Sequence, residues 1–277
     1  MGNSSFLIII AQAVKKISNF ITIILLAKAA SLWYNEENRR RWTDMICGLQ
    51  KMTLLDFPGK VACTLFLGGC NYRCPFCHNS QLLDGTAEPY MTEDAFFAFL
   101  ETRKGLLDGV CVTGGEPTLY PGLPALLKKI KDMGFAVKLD TNGSRPEVLK
   151  TVVQAGLVDY VAMDVKNSPS LYPQTTGTDW SPRATEESLC FLLTDTVDYE
   201  LRTTLVLPLH NSASIEEMGQ WLASLVPGKK PCKLYLQSFV DRETVAYSGL
   251  SAPEENTVSQ WADTLSQYIE KISIRGR

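Results

Sequence analysis

Short apolar runs alternate with amphipathic stretches along most of the chain, beginning at Val61. The apolar runs are rich in Val, Leu and Thr. Several are apolar at nearly every position, as strands buried on both faces usually are. The pattern predicts six β-strands, at residues 61–67, 109–113, 136–140, 160–164, 199–207 and 233–239.

Helix-like periodicity fills the intervals between these predicted strands. Thr92, followed by Glu93 and Asp94, is typical of an N-cap before an acidic first turn. Gly134 stands where a helix commonly ends in a left-handed residue. The predicted helices are residues 92–103, 121–133, 145–155, 184–194, 214–225 and 254–272.

Alternation of strands and helices is typical of an α/β fold with a parallel sheet and right-handed crossovers. Six such units are fewer than the eight that close a full TIM barrel. A partial, open barrel and a doubly wound sheet therefore both fit the pattern. In either architecture, functional side chains collect at the carboxyl ends of the strands, so candidate residues are expected just after each apolar run.

The N-terminal part of the chain does not share this pattern. Residues 6–30 are largely apolar, but three lysines interrupt them, and the longest uncharged run is too short to cross about 30 Å of hydrocarbon as a helix. An amphipathic surface helix, a weak membrane anchor and upstream sequence read from a misassigned start all remain open. The last is favoured because Met45 directly precedes the patterned region. We therefore expect an N-terminal extension, residues 1–44, followed by one domain, residues 45–277.

The composition indicates which cellular compartment and which class of partner to expect. A net charge of -3 and a pI near 5.6 give no support for a nucleic-acid partner. With 277 residues, 45% hydrophobic and 21% charged, the chain has the composition of an ordinary globular protein. Its eight cysteines do not suggest a small secreted disulfide scaffold. Reduced cysteines in the cytoplasm are expected, and a membrane partner is not.

Three cysteines, Cys70, Cys74 and Cys77, directly follow the first predicted strand with the spacing Cys-x3-Cys-x2-Cys. Thiolates this close on one loop can bind one metal centre, and thiolate is the usual ligand of iron–sulfur clusters. A four-iron cluster normally takes four cysteines, so three leave one iron open, as in catalytic metal sites. The alternative is structural zinc with His78 as fourth ligand, but such sites usually combine two separated ligand pairs. His210, the only other histidine, is expected to be structural.

The cysteine spacing, with the aromatic Phe76 before the last cysteine, resembles the signature of the radical S-adenosylmethionine (SAM) superfamily. The resemblance covers the chain from about Leu49 to the C-terminus. It implies a partial (βα)6 TIM-like barrel and one [4Fe-4S] cluster held by the three cysteines. It also implies that SAM chelates the open iron through its amino and carboxylate groups, with Phe76 near the adenine. No catalytic side chain beyond the cluster is then expected.

Gly114, Gly115, Glu116 and Pro117 follow the second predicted strand. In isolation, such a run could be a plain turn. Glycine also lets the backbone approach a ligand closely, and a carboxylate can accept a hydrogen bond from an ammonium group. In the family that this chain resembles, this motif contacts the amino group of SAM. Gly114, Gly115 and Glu116 are therefore predicted to bind it.

Asp140, Thr141 and Asn142 follow the third predicted strand. Residues of these types often form a helix-capping turn. In the radical-forming activases that the chain resembles, a similar segment makes polar contacts with the ribose or methionine part of SAM. The resemblance favours binding for all three residues.

The last three predicted strands also carry candidate binding residues. Asp164 and Lys166 at the end of the fourth strand share a face, and they could form a surface ion pair or line the site. A similar run in the activases favours the site. Arg202 in the fifth strand is a candidate because a buried arginine needs a partner. Gln237 in the sixth strand is a candidate of the same kind.

Residues 48–60 and 74–79 look closest to activating proteins of anaerobic ribonucleoside-triphosphate reductase, and almost as close to pyruvate formate-lyase activating enzyme. Both families install a glycyl radical in a partner enzyme. The resemblance implies that flavodoxin or ferredoxin supplies an electron, that SAM is cleaved to a 5′-deoxyadenosyl radical, and that a glycine of anaerobic ribonucleotide reductase loses hydrogen. The alternatives are a small-molecule radical enzyme similar to 7-carboxy-7-deazaguanine synthases and a non-enzymatic zinc-binding adapter.

Overall fold

Residues 46–275 are described by the computed structural model, apart from residues 84–86, 180, 226, 227, 229, 230 and 232. All of them belong to the unit Asp44–Arg277. The predictions for an N-terminal extension and for a start at Met45 lie outside the described residues, as does Cys232. Within the described part, no helix is long and apolar enough to span a bilayer.

One sheet organises the described part of the chain, and its strands lie side by side in sequence order. The first strand pairs antiparallel with the second, and every other neighbouring pair is parallel. The strands are β1 (Ile46–Thr53), β2 (Ala62–Leu67), β3 (Gly109–Gly114), β4 (Ala136–Thr141), β5 (Tyr160–Asp164), β6 (Asp198–Leu205), β7 (Lys233–Ser238) and β8 (Lys271–Arg275).

Helices connect the parallel strands, as crossover connections require. Short 3-10 turns lie at Ser80–Leu82 and Pro117–Leu119. The α-helices are α1 (Glu93–Glu101), α2 (Leu123–Asp132), α3 (Pro146–Gln154), α4 (Tyr172–Thr176), α5 (Pro182–Leu192), α6 (Ser212–Ser224) and α7 (Glu255–Ser266). The prediction of an α/β fold built from six strand–helix units is confirmed, and the architecture is that of a partial TIM barrel.

The six predicted strands correspond to β2 through β7, with ends that differ by two residues or fewer. Two edge strands, β1 and β8, were not predicted. The predicted helix 254–272 is wrong at its C-terminal end, because α7 stops at Ser266 and residues 271–275 form β8. Ile272 and Ile274 alternate with polar residues, and this two-residue period is the strand signal that competes with the helical one.

The predicted start of α1 is confirmed in detail. Thr92 has an extended backbone, and its side chain accepts a hydrogen bond from the backbone N–H of Ala95 at 3.2 Å. Glu93 and Asp94 lie in the first turn, where carboxylates interact favourably with the helix dipole. The sequence alone therefore predicts where α1 begins.

The amino-terminal end of the barrel is filled by apolar side chains. Phe57, from the connection between β1 and β2, packs with Ala62, Tyr160 and Ala136. The rings of Phe57 and Tyr160 lie 6.2 Å apart between centroids. This apolar cluster lies at the amino ends of β2, β4 and β5, and the candidate binding residues follow the opposite, carboxyl ends.

An ion pair between a partly exposed arginine and a buried carboxylate joins the last strand to β6. Arg275 on β8 donates to both carboxylate oxygens of Glu200 on β6, at 2.8 and 2.7 Å, and its guanidinium lies 3.5 Å from the ring centroid of Tyr235. The Tyr160 hydroxyl donates to the same carboxylate at 3.0 Å. Glu200 is fully buried, so these donors supply the hydrogen bonds that water cannot.

Replacing Arg275 with methionine should lower the free energy of unfolding by about 3 kcal/mol, because a buried carboxylate then loses its cation. Urea unfolding would measure this change. The matched control is Lys128→Met, which breaks an exposed ion pair with Asp132 and should cost less than about 1 kcal/mol. Equal effects of the two substitutions would contradict the role given to Glu200.

Candidate functional site

A cavity of about 250 Å³ opens at the carboxyl end of the barrel. Every residue predicted from sequence to bind metal or cofactor lines it. These residues are Cys70, Cys74, Phe76, Cys77, Gly114, Gly115, Glu116, Asp140, Thr141, Asn142, Asp164, Lys166, Arg202 and Gln237. The fold therefore brings together side chains from six successive strands or from the segments that follow them.

Sequence reasoning missed several residues that line the same cavity. Tyr72 stands between the first two cysteines, and Asn79 follows the third. Thr204 lies two residues after Arg202 on β6, so it shares the inner face of that strand. The period-two pattern could have found Thr204. Tyr72 gives no signal beyond its position in the cysteine loop.

The loop with the three cysteines is held by hydrogen bonds to backbone carbonyls rather than by regular secondary structure. The N–H of Cys77 donates to the carbonyl of Cys74 at 3.1 Å. The Arg73 side chain donates to the carbonyls of Cys70 and Tyr72 at 2.7 and 2.9 Å. The N–H of Arg73 donates to the carbonyl of Thr176, at the end of α4, at 2.7 Å. The loop is thereby attached to α4, in the connection between β5 and β6.

The cysteine side chains lie in surroundings that disfavour an uncompensated negative charge. Burial raises the pKa of Cys70 to about 12 and that of Cys74 to about 11, while the positive charge of Lys166 acts in the opposite direction on both. Thiolates at these positions therefore need further positive charge beside them, which iron supplies when a cluster is bound. The donor set thus fits an iron–sulfur cluster.

His78 lines the same cavity as the cysteines and contacts the segment that follows β7. Its Nε2 lies 2.7 Å from the carbonyl oxygen of Val240, and its ring stacks on Phe239 with centroids 5.8 Å apart. Within the described residues, no group of three or more His, Cys, Asp or Glu side chains is arranged to hold a single metal ion.

The Gly114–Gly115 turn passes directly against the backbone that leads into the cysteine loop. The N–H of Gly115 donates to the carbonyl of Leu67, and that of Glu116 to the carbonyl of Gly69, both at 2.8 Å. A Cβ on Gly115 would lie 2.0 Å from the carbonyl oxygen of Gly69. Glycine is required here because the two backbones touch.

Glu116 is buried and hydrogen bonded within the protein. Its Oε1 accepts from the backbone N–H and hydroxyl of Thr118, at 3.1 and 2.5 Å, and from the Thr141 hydroxyl at 2.7 Å. Its Oε2 accepts from the backbone N–H of Asn142 at 2.6 Å. Burial raises the pKa of Glu116, although these donors act against that shift. The carboxylate therefore joins the ends of β3 and β4.

The segment after β4 is also attached to the cysteine loop. The side-chain amide of Asn142 donates to Asn71 at 2.9 Å, and Asn71 donates to the Ser144 hydroxyl at 2.9 Å. Asn142 also accepts from the backbone N–H of Ser144, which is the turn that its sequence predicts. Asn142 thus lines the cavity and also braces the cysteine loop.

Five charged side chains form a continuous series across β4, β5 and β6, which we call the charge line. In order, they are Lys138, Asp140, Arg202, Asp164 and Lys166. Arg202 donates to Asp140 at 3.1 Å and to Asp164 at 2.9 Å, and Lys166 donates to Asp164 at 2.8 Å. Lys138 donates to Asp140 from the other side. Asp164 and Lys166 therefore form an ion pair and also line the cavity.

The cations of the charge line keep its carboxylates ionised. Burial by itself raises the pKa of Asp164, but Arg202 and Lys166 outweigh it and hold that pKa far below its usual range. Arg202 and Lys138 likewise lower the pKa of Asp140 against the effect of burial. With three cations and two carboxylates, the charge line carries an excess of one positive charge, and all of its members except Lys138 line the cavity.

The chain belongs to the radical SAM superfamily, because the profile of that superfamily matches residues 64–221, more than half of the chain. Enzymes of this superfamily use a 4Fe-4S cluster and SAM, and the match begins in β2 and includes the cysteine loop. The prediction of the superfamily from the cysteine spacing is confirmed.

Several relatives differ in the reaction that their names give. A Methanocaldococcus jannaschii protein, provisionally named a glycyl-radical enzyme activating enzyme, is 28% identical over 83% of this chain and 95% of its own length. A 7-carboxy-7-deazaguanine synthase of Thermococcus kodakarensis is 27% identical over 59% of this chain and 69% of its own. Pyruvate formate-lyase-activating enzyme of Clostridium pasteurianum is 30% identical over 44% and 52%, respectively.

Solved structures share the fold at low sequence identity. Coproporphyrinogen III oxidase from Escherichia coli, a radical SAM enzyme, superposes with a TM-score of 0.53 at 13% identity. The superposition covers 77% of this chain and 54% of the oxidase. Spore photoproduct lyase superposes with a TM-score of 0.51, also at 13% identity, over 76% of this chain and 74% of the lyase. These similarities concern the barrel alone.

Proposed function

We propose that this chain is a radical SAM activase, which generates a glycyl radical in a partner enzyme. The observation that carries the proposal is the cavity, where three cysteines, the Gly-Gly-Glu turn and the charge line meet at one end of a partial barrel. The relative that aligns with the largest share of this chain, among those described above, carries an activating-enzyme name. Neither observation identifies the partner, which we propose to be anaerobic ribonucleotide reductase.

In this proposal, Cys70, Cys74 and Cys77 hold one 4Fe-4S cluster, and SAM occupies the rest of the cavity. A bound cluster would supply the chemistry, namely one electron, received from flavodoxin or ferredoxin, to break a carbon–sulfur bond of SAM and give methionine and a 5′-deoxyadenosyl radical able to take hydrogen from glycine. The protein's own contribution is to position the reactants and to exclude water. No side chain is required as an acid or base.

Glu116 serves two purposes in the proposal. Three hydrogen bonds crowd its Oε1, whereas its Oε2 accepts only one and an ionised carboxylate oxygen can accept two. One position on Oε2 therefore remains for the ammonium group of SAM. The same carboxylate braces Thr141 and Asn142, so SAM binding and the shape of the cavity depend on one side chain.

Lys166, at the end of the charge line that faces the cavity, has a second role in SAM binding. Lys166 faces the cavity beside Cys74, and its ammonium is held by Asp164. Asp164 and Asp140 carry ionised oxygens that can accept from ribose hydroxyls, and Lys166 can donate to an anionic or hydroxyl group. We propose that these three side chains orient SAM, with Phe76 against its adenine.

The decisive experiment mixes the anaerobically reconstituted, reduced full chain with SAM and a candidate glycyl radical enzyme. A glycyl radical signal in electron paramagnetic resonance, with a matching amount of 5′-deoxyadenosine, is the expected result for anaerobic ribonucleotide reductase. Pyruvate formate-lyase is the second candidate partner. The control is each partner with its radical-site glycine replaced by alanine, which should give no glycyl signal.

A second candidate function follows from the 7-carboxy-7-deazaguanine synthase among the relatives. A small-molecule radical enzyme would consume SAM together with a metabolite and leave no radical on a partner protein. Formation of 5′-deoxyadenosine without a glycyl radical on either partner would contradict the activase proposal and favour this alternative. The relative aligns with 59% of this chain, compared with 83% for the activating-enzyme relative, and this is why the activase is preferred.

A further inference from the structure

Lys138 is an almost fully buried lysine that neither the sequence motifs nor the cavity accounts for. Its side chain is 2% exposed, and it does not line the cavity. It lies on β4 two residues before Asp140, so both side chains point to the same face of the strand. Lysine is rarely buried without a partner, and the ammonium of Lys138 donates to Asp140 and lies 3.8 Å from the sulfur of Cys111.

The contacts of Arg202 connect this lysine with the cavity. Arg202 divides its donors between Asp140, through Nη1 at 3.1 Å, and Asp164, through Nε at 2.9 Å. Asp164 uses its other oxygen to hold Lys166 at 2.8 Å. Each carboxylate in the charge line therefore lies between two cations, and each bond limits the position of the next side chain.

We propose that Lys138 is a positioning residue for SAM, acting through Asp140 and Arg202 on Asp164 and Lys166. The inference rests on one part of the proposed function, namely that the cavity binds SAM. It adds a residue outside the cavity to those that determine the geometry inside it.

Removal of the Lys138 charge has a defined structural consequence. The Oδ1 atom of Asp140 loses its donor in a buried setting, where an unpaired carboxylate is costly. Arg202 is the remaining cation bound to Asp140, and the guanidinium moves toward it and away from Asp164. Asp164 still holds Lys166 through Oδ2, but Arg202 no longer fixes its carboxylate, so the Asp164–Lys166 pair loses its fixed position in the cavity.

The test measures SAM affinity by anaerobic calorimetry with the reconstituted full chain. The variants are Lys138→Met, Lys166→Met and the double variant. Lys131→Met is the matched control, because it breaks a lysine–carboxylate pair with Asp159 outside the cavity, at 2.6 Å. Iron content is measured for each protein. A crystal structure of cluster-free Lys138→Met provides a readout that does not depend on the cluster.

We expect Lys138→Met to weaken SAM binding about tenfold, and the double variant to bind about as weakly as the weaker single variant, because both lysines act through one series of contacts. Lys131→Met should bind SAM within about twofold of the natural protein. In the crystal structure, the contact between Arg202 Nε and Asp164 Oδ1 should lengthen from 2.9 Å to beyond hydrogen-bond distance.

Two results would overturn the inference. The first is a folded Lys138→Met chain whose SAM affinity stays within about twofold of that of the natural protein. The second is a double variant in which the losses of affinity of the two single variants multiply. If Lys138→Met does not fold, Lys138→Gln carries the same test, because its amide can still donate to Asp140 without a charge. Failure of the activase proposal is a separate result, since it is read from the absence of a glycyl radical while SAM still binds.

Discussion

Replacing any one of Cys70, Cys74 and Cys77 with serine should abolish the iron–sulfur absorbance at about 400 nm. It should also lower the rate of SAM cleavage by more than about a hundredfold. Serine has nearly the shape of cysteine, but its hydroxyl is a harder and much less acidic ligand, so the loop can persist while iron binding fails. The measurements are iron content and 5′-deoxyadenosine formation after anaerobic reconstitution and reduction.

Cys190→Ser is the matched control for these substitutions. Cys190 lies on α5, away from the cavity, and is only partly buried. This variant should retain its iron content and its SAM cleavage. Equal losses in the control and in the loop variants would show that reconstitution depends on general thiol chemistry, and the cluster assignment would then fail. Binding of zinc in place of iron, with SAM left intact, would favour the adapter interpretation.

A single added methyl group at Gly115 should be almost as damaging. The backbone conformation at this position is open to any residue, so Gly115→Ala tests only the contact with the Gly69 carbonyl, which a Cβ would meet at 2.0 Å. The two backbones must separate, at a cost of about 1–3 kcal/mol in unfolding free energy. Cys70 moves with Gly69, and a displacement of about 1 Å can lower the rate of SAM cleavage about a hundredfold.

Gly48→Ala is the control for this prediction, because a Cβ on Gly48 would meet only the side chain of Phe66 at an ordinary distance of 3.4 Å. Its unfolding free energy should change by less than about 0.5 kcal/mol, and its SAM cleavage should remain. Urea unfolding and 5′-deoxyadenosine formation measure both variants. If Gly115→Ala keeps the stability and the rate of the natural protein, the close backbone contact has no functional importance.

Much of the site could be predicted because its parts are local in sequence. The cysteine spacing lies within eight residues, and the Gly-Gly-Glu turn directly follows an apolar strand. In a parallel α/β barrel, residues that directly follow the strands all reach the same end. Strand–helix alternation was therefore enough to predict that Asp140 and Asp164 would share one cavity with the cysteines, although they are distant in sequence.

The errors and omissions have a common cause. The first two residues of β8 were predicted as the end of a helix, and the strand was missed because its isoleucine alternation is only five residues long and depends on pairing with β7. The ion pair between Glu200 and Arg275 joins residues from two strands that are not neighbours. No local pattern indicates which carboxylate a distant arginine will contact.

The sequence by itself determined the superfamily, the six strand–helix units and the set of residues that meet at the carboxyl end of the barrel, because each depends on short-range spacing and strand direction. Only the tertiary structure decided how those residues are used. It turns the Glu116 carboxylate toward the end of β4, shares Arg202 between two carboxylates and places Lys138 behind them. These arrangements depend on burial and on contacts between strands, which determine how each charged group finds its partners once water is excluded.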